Sequence, residues 1–322
     1  MKIAIVHDYL NQYGGAERVV EVLHDIFPEA PIYTSIFVKE NMPVNFQNMD
    51  IRTSFMQKFP FINYLYRFYL LFYPKAIESF NLKSYDIIIS SSSAFAKGAI
   101  KGSDALHLCY CYTPMRFAWD YENYIKKECL NIIIKKILLL AIRYLKKWDL
   151  KTINRVDYYV GISKNISERL KRIYNIDAEY LYPPVKTSEF KISDKTEDFF
   201  LIVSRLSAYK NIDLAIRVFN KIGLPLKIIG NGGSRKYLEK LATSKLIEFI
   251  GRISEEELLN YYSKCRAYIF PGSEDFGISP IEVQASGRPV IAFAAGGALE
   301  TIIENKTGIF LGRFRRVISR CN

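Results

Sequence analysis

The chain alternates short apolar runs with longer stretches of helical spacing. KIAIV (2–6) reads as a buried strand, and the loop HDYLNQYGGAE leads from it to an amphipathic helix around 16–26. DIIISSSS (86–93) and ALHLCYCY (105–112) are two more apolar runs, the first ending in small polar residues. YYVGIS (158–163) is a fourth, followed by the helical pattern SKNISERLKRIYN. Short apolar strands alternating with helices predict a parallel sheet covered on both faces.

Near 181–198 the pattern breaks. LYPPVKTSEFKISDKTED carries a Pro-Pro pair and a mixed-charge run, and reads as a linker. The alternation then restarts with the strand FFLIVSRL and the helix NIDLAIRVFNKI. LKIIGNGG, IEFIGRI, the helix SEEELLNYYSKC, AYIFPG, the helix of SPIEVQASG and PVIAF complete the series. The expected fold class is α/β: two doubly wound parallel-sheet domains, residues 1–185 and 186–322, facing a cleft. Ligands of such sheets bind beyond the carboxyl ends of the strands. A length of 322 residues accords with two domains, and the lack of a fixed-period repeat argues against a solenoid.

The formal charge is +12, and its distribution decides what it means. Residues 126–151 hold eight Lys and Arg against two acids, half of the excess, and the last ten residues add four arginines. Charge gathered in one helix-like segment is not the spread footprint of a nucleic-acid binder, so no nucleic-acid partner is expected. On a helical wheel Lys135, Lys136, Arg143, Lys146 and Lys147 fall within about 120° of arc, with Ile and Leu filling most of the rest. Such a segment either packs its apolar side on the domain or docks onto anionic lipid. The aromatic run FPFINYLYRFYLLFYP (59–74) either lies beside it or belongs to the core. Five cysteines, an odd number with no C-x-x-C pair, argue against a disulfide framework or zinc ribbon and make a reducing cytoplasm the default. MKIAIVHDYL lacks the apolar stretch of a signal peptide, and no window approaches 18 uninterrupted apolar residues.

Several positions carry candidate chemistry. Gly14 and Gly15 sit between a strand and a helix start, where backbone N–H groups suit a phosphate but where many plain turns also use glycine. Arg205 and Lys210 follow the strand FFLIVSRL, where they neutralise a diphosphate or line a solvated basic loop. GNGG (230–233) is a glycine-rich turn without the full dinucleotide spacing. In SEDFGISPIEVQASG, Pro280 fits the first turn of a helix, and Glu282 falls early enough for the helix dipole to explain it. Glu274 precedes that helix in a loop and has no such explanation. Beside the amides of Gly277, Ile278 and Ser279 it suits a ligand carrying both an anion and sugar hydroxyls. His107, Cys109 and Cys111 share one strand face, as a metal site or, by residue preference for burial, as core. No D-x-D triplet occurs.

These pieces, in this order, resemble a family 4 glycosyltransferase of GT-B fold, with two Rossmann-like domains, over about residues 1–312. The most specific carrier is the E-x7-E element, Glu274 to Glu282, within the order IVSRLSAYKN, IIGNGG, IEFIGRIS, PGSEDFGISPIEVQASGRPVIAF, TGIF. HDYLNQYGGAERV, YDIIISSSSAFAKG and CYCYTPMRFAWD resemble the bacterial mannosyltransferase branch that builds O-antigen and other surface polysaccharides. The resemblance implies that Arg205 and Lys210 bind the donor diphosphate, that Glu282 holds the donor ribose, and that Glu274 with the Phe276–Ser279 backbone holds the transferred sugar. It implies Gly15, beside Gly14, against the phosphates, Gly230 in the donor site, and the loop Gly251, Arg252, Ile253 near the donor base. Tyr112 and Arg116 fall on the acceptor side.

The implied activity is a retaining hexosyl transfer, with mannose from GDP-mannose as the candidate, onto a lipid-linked glycan. The nucleotide sugar is the co-substrate, and no cofactor or metal is called for. The implied location is cytoplasmic, peripheral on the inner face of the cell membrane through residues 126–151. Two departures set an alternative beside this reading. Relatives commonly have histidine where this chain has Tyr112, and the stretch GRFRRVISRCN does not continue the family's C-terminal helices. The alternative is a truncated nucleotide-sugar-binding remnant with little or no turnover, its second domain incomplete.

Overall fold

Strands too short to stand out in the sequence complete the first of two sheets. The structure, a computed structural model, describes residues 1–121 and 132–311, the side chains of 132–135 excepted. Lys126, Lys127, Cys129, the Lys135 side chain and the arginine-rich end from 312 onward lie outside the described residues. The chain divides into two compact units, Met1–Pro184 and Val185–Asn322.

The first unit contains β1 (Ile3–His7), β2 (Ile32–Thr34), β3 (Ile51–Thr53), β4 (Ile87–Ser92), β5 (Leu106–Cys111), β6 (Tyr158–Gly161) and β7 (Glu179–Tyr180). They pair in parallel in the order β3-β2-β1-β4-β5-β6-β7, with β1 in register against β4 from Ile3↔Ile87 to His7↔Ser91. The second unit contains β8 (Phe200–Val203), β9 (Leu226–Ile229), β10 (Ile247–Gly251), β11 (Ala267–Phe270), β12 (Val290–Phe293) and β13 (Gly308–Leu311), in the order β10-β9-β8-β11-β12-β13. Both orders contain the doubly wound 3-2-1-4-5-6 arrangement, in which the connections reverse direction beside the first strand of each unit. The sequence reading passes over β2, β3 and β7, because two or three residues are too few to display a period.

Each sheet is covered on both faces, as its apolar strands require. Ile5 packs with Leu10, Val20, Ile32 and Phe46, whereas its neighbours Ala4 and Val6 pack with Ile88, Phe95, Met115 and Trp148 on the opposite face. In the second unit Leu201 and Tyr268 join one cluster, and Ile202 and Ile269 the other. Helix starts follow local chemistry. Ser254 and Glu257 form a reciprocal capping box before the helix Glu255–Lys264, and the Ser163 hydroxyl accepts the Ile166 amide before Lys164–Tyr174. The segment read as a linker is docked along its second half. Arg288 donates to the carbonyls of Ser193 and Lys195, and the Glu197 amide donates to the Lys264 carbonyl.

Polar groups are buried within the first unit as well. Lys97 and Asp149 form a buried ion pair at 3.1 Å; the ammonium also donates to the Asp149 carbonyl and the Thr152 hydroxyl, both at 2.8 Å. Oδ2 of Asp149 accepts from Trp119 Nε1 and from the Tyr174 hydroxyl. His107 is fully buried in β5, Nε2 against Ser90 Oγ at 2.9 Å and Nδ1 against the Arg155 carbonyl at 3.0 Å. Cys109 and Cys111, on the same strand face, are also buried, and both His107 ring nitrogens are engaged within the fold.

Burial lowers the His107 pKa from 6.5 to about 4. The unfolded chain therefore binds a proton between those pH values that the folded chain refuses. Stability is full above pH 6.5 and falls as the pH drops toward 4, by about 3 kcal/mol. Urea unfolding followed by tryptophan emission reads the first unit alone, since the chain's two tryptophans are Trp119 and Trp148. A His107→Gln variant is expected to flatten that acid limb.

Candidate active site

In the second unit the connections reverse between β8 and β11, so the loops after these two strands diverge and leave a crevice at the carboxyl edge. Arg205 stands exposed just after β8. Lys210 closes the following turn, where Asn211 takes a left-handed φ of 54° so that the helix Ile212–Ile222 can start. Glu274 lies in the loop after β11, and the Lys210 ammonium forms an ion pair with its Oε1. The Lys210 ammonium also lies 5.3 Å from the centre of the Tyr209 ring. Two residues 64 positions apart in sequence thus meet across the crevice. The backbones are close as well, since a Cβ on Gly272 would sit 3.0 Å from the Lys210 carbonyl oxygen.

The helix after β11 runs Ile278–Ala285 and begins at Gly277, whose φ of 93° a side chain would strain and whose Cβ would meet the Phe270 ring. Phe276 is buried, and Ile278 and Ser279 form the helix start at the same edge. Pro280 lies in the first turn as expected. Glu282 does not fit the dipole explanation: it is the fifth residue of the helix, beyond the turn where that effect acts, and only 4% exposed. Its Oε2 instead accepts the Tyr262 hydroxyl at 3.0 Å. Burial, then the Glu282 charge, pushes the Tyr262 hydroxyl well above its ordinary pKa, so it remains a donor. The Tyr268 hydroxyl donates to the Val203 carbonyl at 2.9 Å, tying β11 to the carboxyl end of β8.

Two glycines that the sequence reading did not single out hold this loop. Gly296 has φ 61°, and a Cβ there would lie 2.2 Å from the Glu274 carbonyl oxygen; the Gly297 amide donates to that same oxygen at 2.8 Å. A Cβ on Gly297 would collide with Phe276. The signal was the Gly-Gly of AAGGALE, just after an apolar run, the same grammar as Gly14-Gly15. Gly230 is a close-approach residue, since its Cβ would fall 2.0 Å from the Ser204 carbonyl oxygen, and its amide donates to Gly251. Gly251, at φ 89°, ends β10 at a register shift, with Arg252 exposed and Ile253 packed against the core beyond it.

The remaining sequence candidates belong to the first unit. Gly14 caps the helix Gly15–Ile26, and Glu17 in its first turn is buried, with its carboxylate 3.8 Å from His7 Nε2. The switch point of this sheet is filled by the chain itself. Asp8 accepts the amides of Ser93, Ala94, Phe95 and Ala96 and the Ser93 hydroxyl, at 2.6–2.9 Å. Tyr112 is buried; its hydroxyl donates to the Ala16 carbonyl at 3.0 Å and lies 2.9 Å from Ser91 Oγ. Arg116 is half-buried at the start of a short helix, Arg116–Trp119.

Known proteins share this architecture. Over 100% of this chain and 89% of the other, the structure is similar to Anabaena HepE in complex with UDP and glucose, with a TM-score of 0.69 at 14% identity. Two parallel-sheet α/β units of this arrangement define the GT-B fold class. Residues 185–314 match the family model of glycosyl transferases group 1. It is 29% identical over 157 residues to an uncharacterized glycosyltransferase of Methanocaldococcus jannaschii, MJ1178, covering 48% of this chain and 44% of that protein. It is also 29% identical over 160 residues to the O-antigen chain mannosyltransferase RfbU of Salmonella typhimurium, covering 46% and 44%. The chain thus spans about half the length of the curated relatives it matches.

Proposed function

We propose that this chain is a glycosyltransferase that transfers a hexose from a nucleoside diphosphate sugar, with retention at the anomeric carbon, to a lipid-linked glycan in surface polysaccharide synthesis. The observation that carries this reading is the meeting of Lys210 and Glu274 at the switch point, beside the helix start at Gly277. An ammonium has three donors, so Lys210 can serve the Glu274 carboxylate and a phosphate oxygen together. As the bond from the sugar to the diphosphate breaks, negative charge builds on the leaving oxygen. Lys210, Arg205 and the first amides of the helix Ile278–Ala285 are the groups that stabilise it, without metal. Glu274 then takes sugar hydroxyls. Attack on the same face, with the leaving phosphate accepting the acceptor's proton, needs no separate carboxylate base. RfbU supports mannose as the first donor sugar to test, and the HepE complex with UDP and glucose supports a nucleotide-sugar donor.

The acceptor side includes Tyr112, whose raised pKa, caused by burial, leaves it a hydrogen-bond donor rather than a base. Docking at the inner face of the membrane is assigned to the basic helix Ile132–Lys151, whose Lys136, Arg143 and Lys147 are exposed. Among the described residues no helix is long and apolar enough to cross a membrane. Thermal shift and nucleotide release with GDP- and UDP-sugars test the function. The expected result is a stabilising shift with one of them, and nucleotide release once a lipid-linked acceptor is added. Binding without release would support a binding remnant, and no shift with any nucleotide sugar would overturn both.

A further inference from the structure

The segment between β3 and β4 exposes an unusual amount of aromatic surface. Phe61, Tyr64 and Phe68 are 75%, 82% and 83% exposed, against a norm in which large apolar side chains reach the surface singly. Between Thr53 and Ile77 the sequence has no acid and three basic residues, Lys58, Arg67 and Lys75, all exposed. Inward, Tyr66, Tyr69 and Leu70 pack on the cluster of Val6, Ile88 and Phe95. The helix Ile132–Lys151 packs on that same cluster through Leu138, Ile142 and Leu145. Both elements therefore cover one face of the first unit's sheet. The helix also turns apolar side chains outward, with Ile137, Leu140 and Tyr144 exposed beside Lys136, Arg143 and Lys147.

Phe61 adds an independent sign. Its backbone is left-handed, φ 50° and ψ 32°, at the start of the short helix Ile62–Leu65. Glycine or asparagine makes such a turn at lower cost than a bulky residue. Here the turn instead carries a phenyl ring into solvent.

We propose that this aromatic and basic outer face docks onto an anionic lipid bilayer. Phe61, Tyr64 and Phe68 enter the boundary between headgroups and acyl chains, and Lys58, Arg67 and Lys75 meet lipid phosphates. Aromatic rings are favoured at that depth, and basic side chains around them match an anionic leaflet. An acid-free basic rim is the complement of a phosphate-rich surface, which decides for lipid over a second copy of this equally basic chain. The inference rests on the membrane-bound acceptor reading for its purpose, while its geometry stands apart from the donor site.

The test is co-sedimentation of the full chain with phosphatidylcholine vesicles, with and without phosphatidylglycerol. The variants are Phe61→Ser/Tyr64→Ser/Phe68→Ser, Phe61→Gly alone, and Lys136→Gln/Arg143→Gln/Lys147→Gln. The triple aromatic variant is expected to lose about tenfold or more in partitioning onto the anionic vesicles. Phe61→Gly is expected to lose a few-fold while its thermal midpoint holds or rises, the opposite of a structural role for the ring. Vesicle binding by the triple variant equal to wild type would overturn the inference. Loss in the helix variant alone would leave helix docking standing without it. No vesicle binding by the wild type would overturn both docking statements. A dimer of the wild type that the aromatic variant disperses, seen by analytical ultracentrifugation, would assign the patch to self-association instead. Nucleotide-sugar binding, measured in parallel, reads the transferase proposal separately.

Discussion

Lys210→Ala is expected to lower turnover about 10²- to 10³-fold, the usual loss when one group aimed at developing transition-state charge is removed. The ammonium sits at the edge of the second unit between the loops after β8 and β11, and it is paired with Glu274. Removing it takes away positive charge from the leaving diphosphate and leaves the Glu274 carboxylate facing the same region uncompensated. Both effects act on the transition state, so kcat and kcat/KM should fall together. Glu274→Gln should also be impaired. The double variant should be less impaired than the product of the two singles, because contacting residues are not independent. Steady-state release of nucleotide, with the donor and acceptor identified by the assay above, measures all three. Equal turnover in Lys210→Ala and wild type would remove Lys210 from the chemistry.

The largest stability effect is expected at Lys97, far from Lys210 in sequence. Lys97→Met should destabilise the first unit by about 3–5 kcal/mol, because the Asp149 carboxylate would remain buried without its cation. The pair is almost wholly inaccessible, 2% and 0% exposed. It joins the turn after β4 to the helix Ile132–Lys151, and Asp149 extends the network to Trp119 and Tyr174. Urea unfolding read by tryptophan emission reports it directly, since both tryptophans lie beside the network. Lys97→Met combined with Asp149→Asn should recover part of the loss, because the stranded charge is then gone. If the single variant unfolded with the wild-type midpoint, the ion pair would carry no stability.

The long apolar strands and their helices were legible because continuous burial leaves a continuous signal. Ile3–His7 and Leu106–Cys111 lie where the apolar runs put them. Strands as short as Glu179–Tyr180 were not legible, since two residues carry no period. In the second unit, Arg205, Lys210 and Glu274 were readable as polar residues after strand ends, and a doubly wound sheet brings such loops together. That Lys210 and Glu274 touch was not readable, because the pairing depends on β8 and β11 being neighbours. The helix dipole was one reading of Glu282 beside the ribose role that the resemblance implies, and helix register puts it one turn too deep for the dipole, against Tyr262. The Lys97–Asp149 pair left a faint signal: one acid near the end of a basic segment, and one lysine in the small-residue stretch AFAKGA. The Asp8 cradle left less, since four backbone amides carry no side-chain signature.

The most direct test of the donor site is a crystal structure of the chain with GDP or UDP bound. The account predicts the diphosphate in the second unit, within hydrogen-bond reach of Lys210 and Arg205 and beside the helix start at Gly277–Ser279. A diphosphate bound elsewhere, touching neither Lys210 nor Arg205, would contradict it.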